Sequence, residues 1–124
     1  MTNDVAVFLD LDNLVIGAKQ IKLSFDINLV LDHIKKITAG RIVLRHAYGA
    51  GRQSQGQLQE LAQAGFVVQS ATRVNRFSKN LADMQIAVNA MDTLVDGHQY
   101  NTYVLMSGDR DFTPLVQSLR KRGK

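Results

Sequence analysis

The chain has 124 residues, no cysteine and a formal net charge of +4 from 15 Lys+Arg against 11 Asp+Glu. That length suits one domain with one core, expected over residues 1–124. The missing cysteine excludes disulfides and cysteine-based zinc sites and fits a reducing, cytoplasmic setting. No apolar run approaches the roughly 20 residues of a membrane span, and Asp4 and Asp10 interrupt any signal-like start.

Val5–Leu9 is a continuous apolar run, which predicts a strand buried on both faces. A short helical turn is expected at Leu14–Lys19. Asp26 can cap a helix with apolar residues at Ile27, Val30, Leu31, Ile34 and Ile37. Gly40 closes the connection, and Arg41–Tyr48 reads as a second strand. Gly49-Ala50-Gly51-Arg52-Gln53-Ser54 lacks the third glycine of a dinucleotide fingerprint and the Gly-Lys-Ser/Thr of a P-loop, so it reads as a connection. Ser54 can cap a helix through Leu58, Leu61 and Ala62 that stops at Gly65. Phe66–Gln69 is the third strand, and Ala71–Asn80 a polar, basic loop. Asp83–Val95 is the longest helix, opened by Asp83 and ended near Gly97. Thr102–Met106 is the fourth strand. Asp111 is expected to cap the last helix, with Phe112, Leu115, Val116 and Leu119 on its buried side, Pro114 in its first turn and Arg120, Lys121 and Arg122 in its last.

Strands alternating with helices imply right-handed crossovers and a three-layer α/β sandwich around a mostly parallel sheet. Ligands of such sheets bind beyond the carboxyl ends of the strands, where strand order switches. Asp10 and Asp109 fall at two such ends, and neighbouring strands would bring them together. The chain stops soon after a helix, where such a sheet often continues. A further C-terminal strand and a longer parent chain are therefore expected.

The aspartates carry the functional signal. Asp10 and Asp12 follow the first strand, Asp109 and Asp111 the fourth, and Asp83 lies between them. Carboxylates repel, so crowding them is costly unless a cation sits among them. With these five set aside, six acidic residues face 15 basic ones. An acidic spot on a basic body suits a metal-dependent enzyme acting on a polyanion. Turns and caps account for Asp12, Asn13 and Asp111 about as well as function does, whereas nothing local accounts for Asp10 or Asp109. Asp92, half a helical turn from Asp83 after nine residues, reads as a solvent group, as does Asp96. Arg73, Arg76 and Lys79 flank Phe77, which suits single-stranded nucleic acid, with phosphates on the cations and a base on the ring. The competing reading is a solvated loop with Phe77 in the core. Ser107 and Arg110 are further candidates for contact with substrate oxygens or phosphate. His33, His46 and His98 show no metal-ligand spacing and read as packed or solvent-facing.

Three segments together resemble the NYN domains of the PIN-like ribonuclease superfamily. They are Phe8-Leu9-Asp10-Leu11-Asp12-Asn13, the Lys79 to Asp83 stretch, and Ser107-Gly108-Asp109-Arg110-Asp111-Phe112 followed by Pro114-Leu115. The resemblance implies a PIN-like, Rossmannoid sheet and cleavage of RNA by activated water with Mg²⁺ or Mn²⁺. It places Asp10, Asn13, Asp83, Asp109 and Asp111 at the family's acidic site, with Asp10, Asp83, Asp109 and Asp111 as metal ligands. Asp12 stands where members often carry a small or variable residue. RNA is the implied substrate, single-stranded on the reading of the Arg73, Arg76, Phe77 and Lys79 loop, and members often carry a C-terminal RNA-binding module. A homodimer would extend a basic groove, though no surface stripe demands one. Two rivals stay open. One is a catalytically weak or inactive RNA-binding scaffold. The other is a haloacid-dehalogenase-type phosphatase, which also begins with Asp-x-Asp. Leu14 stands where that family usually has Thr or Val, and the chain is short for that fold plus its cap.

Overall fold

A computed structural model describes residues 3–11, 26–49, 55–69, 78–95, 99–107 and 112–124. The chain runs β1 (Asp4–Asp10), α1 (Ile27–Thr38), β2 (Arg41–Tyr48), α2 (Gln55–Gln63), β3 (Val67–Gln69), α3 (Ser78–Val95), β4 (Thr102–Met106) and α4 (Thr113–Lys121). The strands form one sheet in the order β3-β2-β1-β4. Every pairing among them is parallel.

The apolar run of β1 explains its central place. Val5 to Leu9 are at most 1 % exposed, so both faces of the strand are covered. Alternation along the strand splits them. Val5, Val7 and Leu9 pack with Ile27, Leu31 and Ile34 of α1, Leu61 of α2 and Phe66. Ala6 and Phe8 pack on the other face with Tyr48, Ile86 and Ala90 of α3, and Leu115 and Leu119 of α4. Each fully buried Val, Leu or Phe contributes about 1.5–3 kcal/mol relative to exposure. Phe8→Ala or Leu9→Ala would therefore open the core on one side of the sheet only.

Local signals set most boundaries. The Asp26 carboxylate accepts from Asn28 N at 3.0 Å and starts α1. At its far end Ala39 takes the left-handed conformation (φ 49°), while Gly40 has no positive φ. Gly40 is glycine for another reason, since a Cβ there would meet the Asn3 carbonyl oxygen at 2.7 Å. Arg41–Tyr48 and Thr102–Met106 form strands as their composition indicates. The third strand begins at Val67, one residue late, because Phe66 turns into the core. Gly65 follows α2 with φ 86°, a stop that favours glycine.

Three helices differ from the sequence reading. α3 starts at Ser78, so Ser78, Lys79 and Asn80 belong to the helix and not to a loop. Leu81 and Ala82 are strong helix formers that carry it back past Asp83, which sits in the second turn. The N-cap of α4 is Phe112, with no side-chain capping bond, and Asp111 lies outside the described residues. Val116 is 37 % exposed, because the buried line of this short helix runs Phe112, Leu115, Leu119. Arg120 and Lys121 occupy the last turn, while Arg122 is the C-cap and its guanidinium donates to the Ser118 carbonyl. Ile37, in the last turn of α1, is 65 % exposed, as that turn runs past the sheet. The expected turn at Leu14–Lys19 and the proposed Ser54 cap lie outside the described residues.

Polar groups tie the amino-terminal end of the sheet together. Arg41 pairs with Asp4 at 3.0 Å. Asn101 Oδ1 accepts from Asp4 N, and Thr102 Oγ1 donates to Asn3 Oδ1.

Candidate active site

Strand order decides where a site can form. From β1 the chain moves to β2 and β3 on one side, then α3 carries it back across to β4 on the other side of β1. The switch point is therefore the crevice between the carboxyl ends of β1 and β4. Asp10 is the last residue of β1, and Ser107 is the first after β4.

Asp10 is 2 % exposed. It belongs to the even-numbered set with Ala6 and Phe8, so it points toward the face that α3 and α4 cover. The Ser107 hydroxyl donates to Asp10 Oδ2 at 3.0 Å, which holds the carboxylate in one orientation. A buried carboxylate costs free energy that a local turn or cap does not repay. Its place at the switch point matches the position expected for it.

α3 packs against β1 and β2. Position 83 lies on the helical stripe that also carries Ile86, Ala90 and Thr93, all of them buried. The Asp83 side chain itself lies outside what is described. The macrodipole acts chiefly within the first turn, so it does not account for an acid in the second. Lys79 falls in the first turn of the same helix. Asp92 is exposed, as expected from its angular offset. Asp12, Asn13, Arg73, Arg76, Asp109, Arg110 and Asp111 lie outside the described residues, as do Phe77, Asp96 and His98. Among the described residues no group of three or more His, Asp or Glu side chains is placed to hold a metal. The donors that are described, a carboxylate and a hydroxyl, are hard oxygen ligands of the kind that suit Mg²⁺ or Mn²⁺.

One polar group beside Asp10 escaped the sequence reading. Tyr48 ends β2, pairs in register with Asp10 and is fully buried. Its ring stacks near Phe8 with centroids 6.4 Å apart. Asn89 Nδ2 of α3 donates to the Tyr48 hydroxyl at 2.9 Å and to Gln69 Oε1 at 3.3 Å. The hydroxyl lies 3.1 Å from His46 Nδ1. Burial pushes the His46 imidazole below its ordinary pKa of 6.5, which favours a neutral ring that accepts the tyrosine proton. Burial also raises the Tyr48 phenol above its usual pKa, partly offset by the bond from Asn89. The available signal was a tyrosine at the end of β2, level with the aspartate that ends β1. His33 is exposed and His46 is packed, in line with their reading as solvent-facing or packed groups.

The fold and this crevice define a doubly wound α/β protein with a buried carboxylate at its switch point. The NYN domain profile matches residues 4–124, and the chain belongs to the NYN domain family. That family is PIN-like, which places the chain at a coarse level among nuclease-type hydrolases. No curated protein and no solved structure matches the chain. No helix among the described residues is long and apolar enough to cross a membrane.

Proposed function

We propose that the chain is a divalent-metal-dependent ribonuclease that hydrolyses single-stranded RNA. The observation that carries this reading is the buried Asp10 carboxylate at the β1/β4 switch point, held by the first residue of the Ser107-Gly108-Asp109-Arg110-Asp111 segment. Asp109 follows Ser107 by two residues, a reach of about 7 Å at most. The spacing of position 83 on α3, three and seven residues before the buried Ile86 and Ala90, adds support. Membership of the NYN family speaks for this reading over the phosphatase one.

Asp10, Asp83, Asp109 and Asp111 would hold the ion, with Asp12 an added donor. When bound, Mg²⁺ or Mn²⁺ supplies Lewis acidity and lowers the pKa of a water near the scissile phosphate. Asn13 orients that water. Ser107 keeps one Asp10 oxygen engaged and so fixes the direction of the other. Arg73, Arg76, Lys79 and Arg110 take the phosphates of the RNA backbone, and their share of binding falls with salt. No side-chain nucleophile is required.

The test is cleavage of labelled single-stranded RNA in Mn²⁺, Mg²⁺ or EDTA, beside Asp109→Asn. Metal-dependent cleavage that drops by at least about 10²-fold in the variant is expected, the usual scale for losing one group that stabilises transition-state charge. Salt-sensitive RNA binding without cleavage would refute this reading and favour a non-catalytic RNA-binding module.

A further inference from the structure

The group around Tyr48 lies outside the acidic site, yet it ties α3, which carries position 83, to β2, the strand paired with the one that ends in Asp10. Tyr48 is the β2 residue paired with Asp10. Asn89 sits six residues after position 83 on α3, about 9 Å along the helix axis. Both amide protons of Asn89 are used, one on the Tyr48 hydroxyl and one on Gln69 Oε1 of β3. The tyrosine proton is then free to go to His46 Nδ1. Two strand residues, Tyr48 and Gln69, thus grip one side chain of α3, on the face where Ile86 and Ala90 of the helix also pack. Apolar contacts set how deeply a helix lies but let it slide or rotate. Directional bonds from one amide to two strands do not.

We propose that Tyr48 and Asn89 are positioning residues that set the register of α3 on the sheet, and through it the spacing between Asp10 and Asp83 as ligands of a divalent cation. The inference rests on the nuclease reading above. Neither residue touches the ion; each acts through the helix that carries Asp83. Changes to groups that orient metal ligands typically weaken metal affinity by 10–100-fold.

The experiment compares the whole chain with Tyr48→Phe, Asn89→Leu, the double variant and Arg41→Ala, which perturbs the opposite end of the sheet. Thermal unfolding in EDTA and the Mn²⁺ concentration giving half of the Mn²⁺-induced stabilisation are read for each. RNA cleavage is then resolved into kcat and KM. Tyr48→Phe keeps the ring and its packing, so it folds. The half-saturating Mn²⁺ concentration is expected to rise roughly 10-fold in each single variant. It should rise little further in the double variant, because the two share one bond. kcat at fixed Mn²⁺ falls while KM for RNA holds, and Arg41→Ala shifts the unfolding temperature without moving the Mn²⁺ midpoint. A wild type that responds to Mn²⁺ alongside a Tyr48→Phe variant with the same midpoint overturns the positioning role and leaves the nuclease reading intact. Equal midpoint shifts in Arg41→Ala also overturn it, since general loosening would then suffice. A wild type with no response to Mn²⁺ overturns both.

Discussion

Replacing Asp10 with asparagine separates metal binding from folding. The side chain is 2 % exposed and accepts the Ser107 hydroxyl at 3.0 Å. Asparagine has nearly the same shape, keeps an oxygen acceptor for that hydroxyl and removes the buried charge. In EDTA the unfolding temperature should stay within about 2 °C of wild type, the equivalent of about 0.5 kcal/mol for a chain of this size. A cation that binds only the native state at 100 times its Kd adds about 2.7 kcal/mol, or about 10 °C. If losing the charged ligand weakens the ion about 100-fold, the same Mn²⁺ concentration then equals Kd and adds about 0.4 kcal/mol, under about 2 °C. Scanning calorimetry of both proteins with Mn²⁺ and with EDTA measures all four values. A full Mn²⁺ shift in Asp10→Asn would refute Asp10 as a ligand. Collapse of the variant in EDTA would show that the carboxylate serves the fold instead.

Two further expectations concern stability. His46 has a lowered pKa in the folded protein, so below about pH 6.5 the unfolded chain binds more protons and stability falls with pH. Urea titrations between about pH 5 and 7 should show that fall reduced in His46→Gln, and identical slopes would remove His46 as its source. Gly40→Ala forces a Cβ to 2.7 Å from Asn3 O and 2.8 Å from Val5 Cγ2. The strain should cost about 1–3 kcal/mol in chemical denaturation, whereas Gly123→Ala, with open space around it but a positive φ, should cost less. Equal losses in the two variants would mean that crowding does not govern Gly40.

What the sequence determined by itself is short-range. Five consecutive apolar residues in β1 demand cover on both faces, Asp26 supplies its own helix cap, and the composition of Arg41–Tyr48 and Thr102–Met106 forces extended chain. Asp10 stood out because no local bond or turn required an acid at the end of an apolar strand, and the structure leaves it buried at the switch point. The helix α3 starts earlier than expected because Ser78 and Asn80 look like loop residues, while helix propensity at Leu81 and Ala82 carries the helix back through them. Val116 and Ile37 keep helical spacing yet face solvent, since spacing defines a stripe but not how far the sheet extends beneath it. Tertiary structure alone decided that β4 lies beside β1, which brings Ser107 to Asp10 across 97 residues of chain. It alone set Asn89 against Tyr48, 41 residues away. Those contacts depend on crossover handedness and on which strands pair. Residue periodicity repeats within a few positions and carries no record of either.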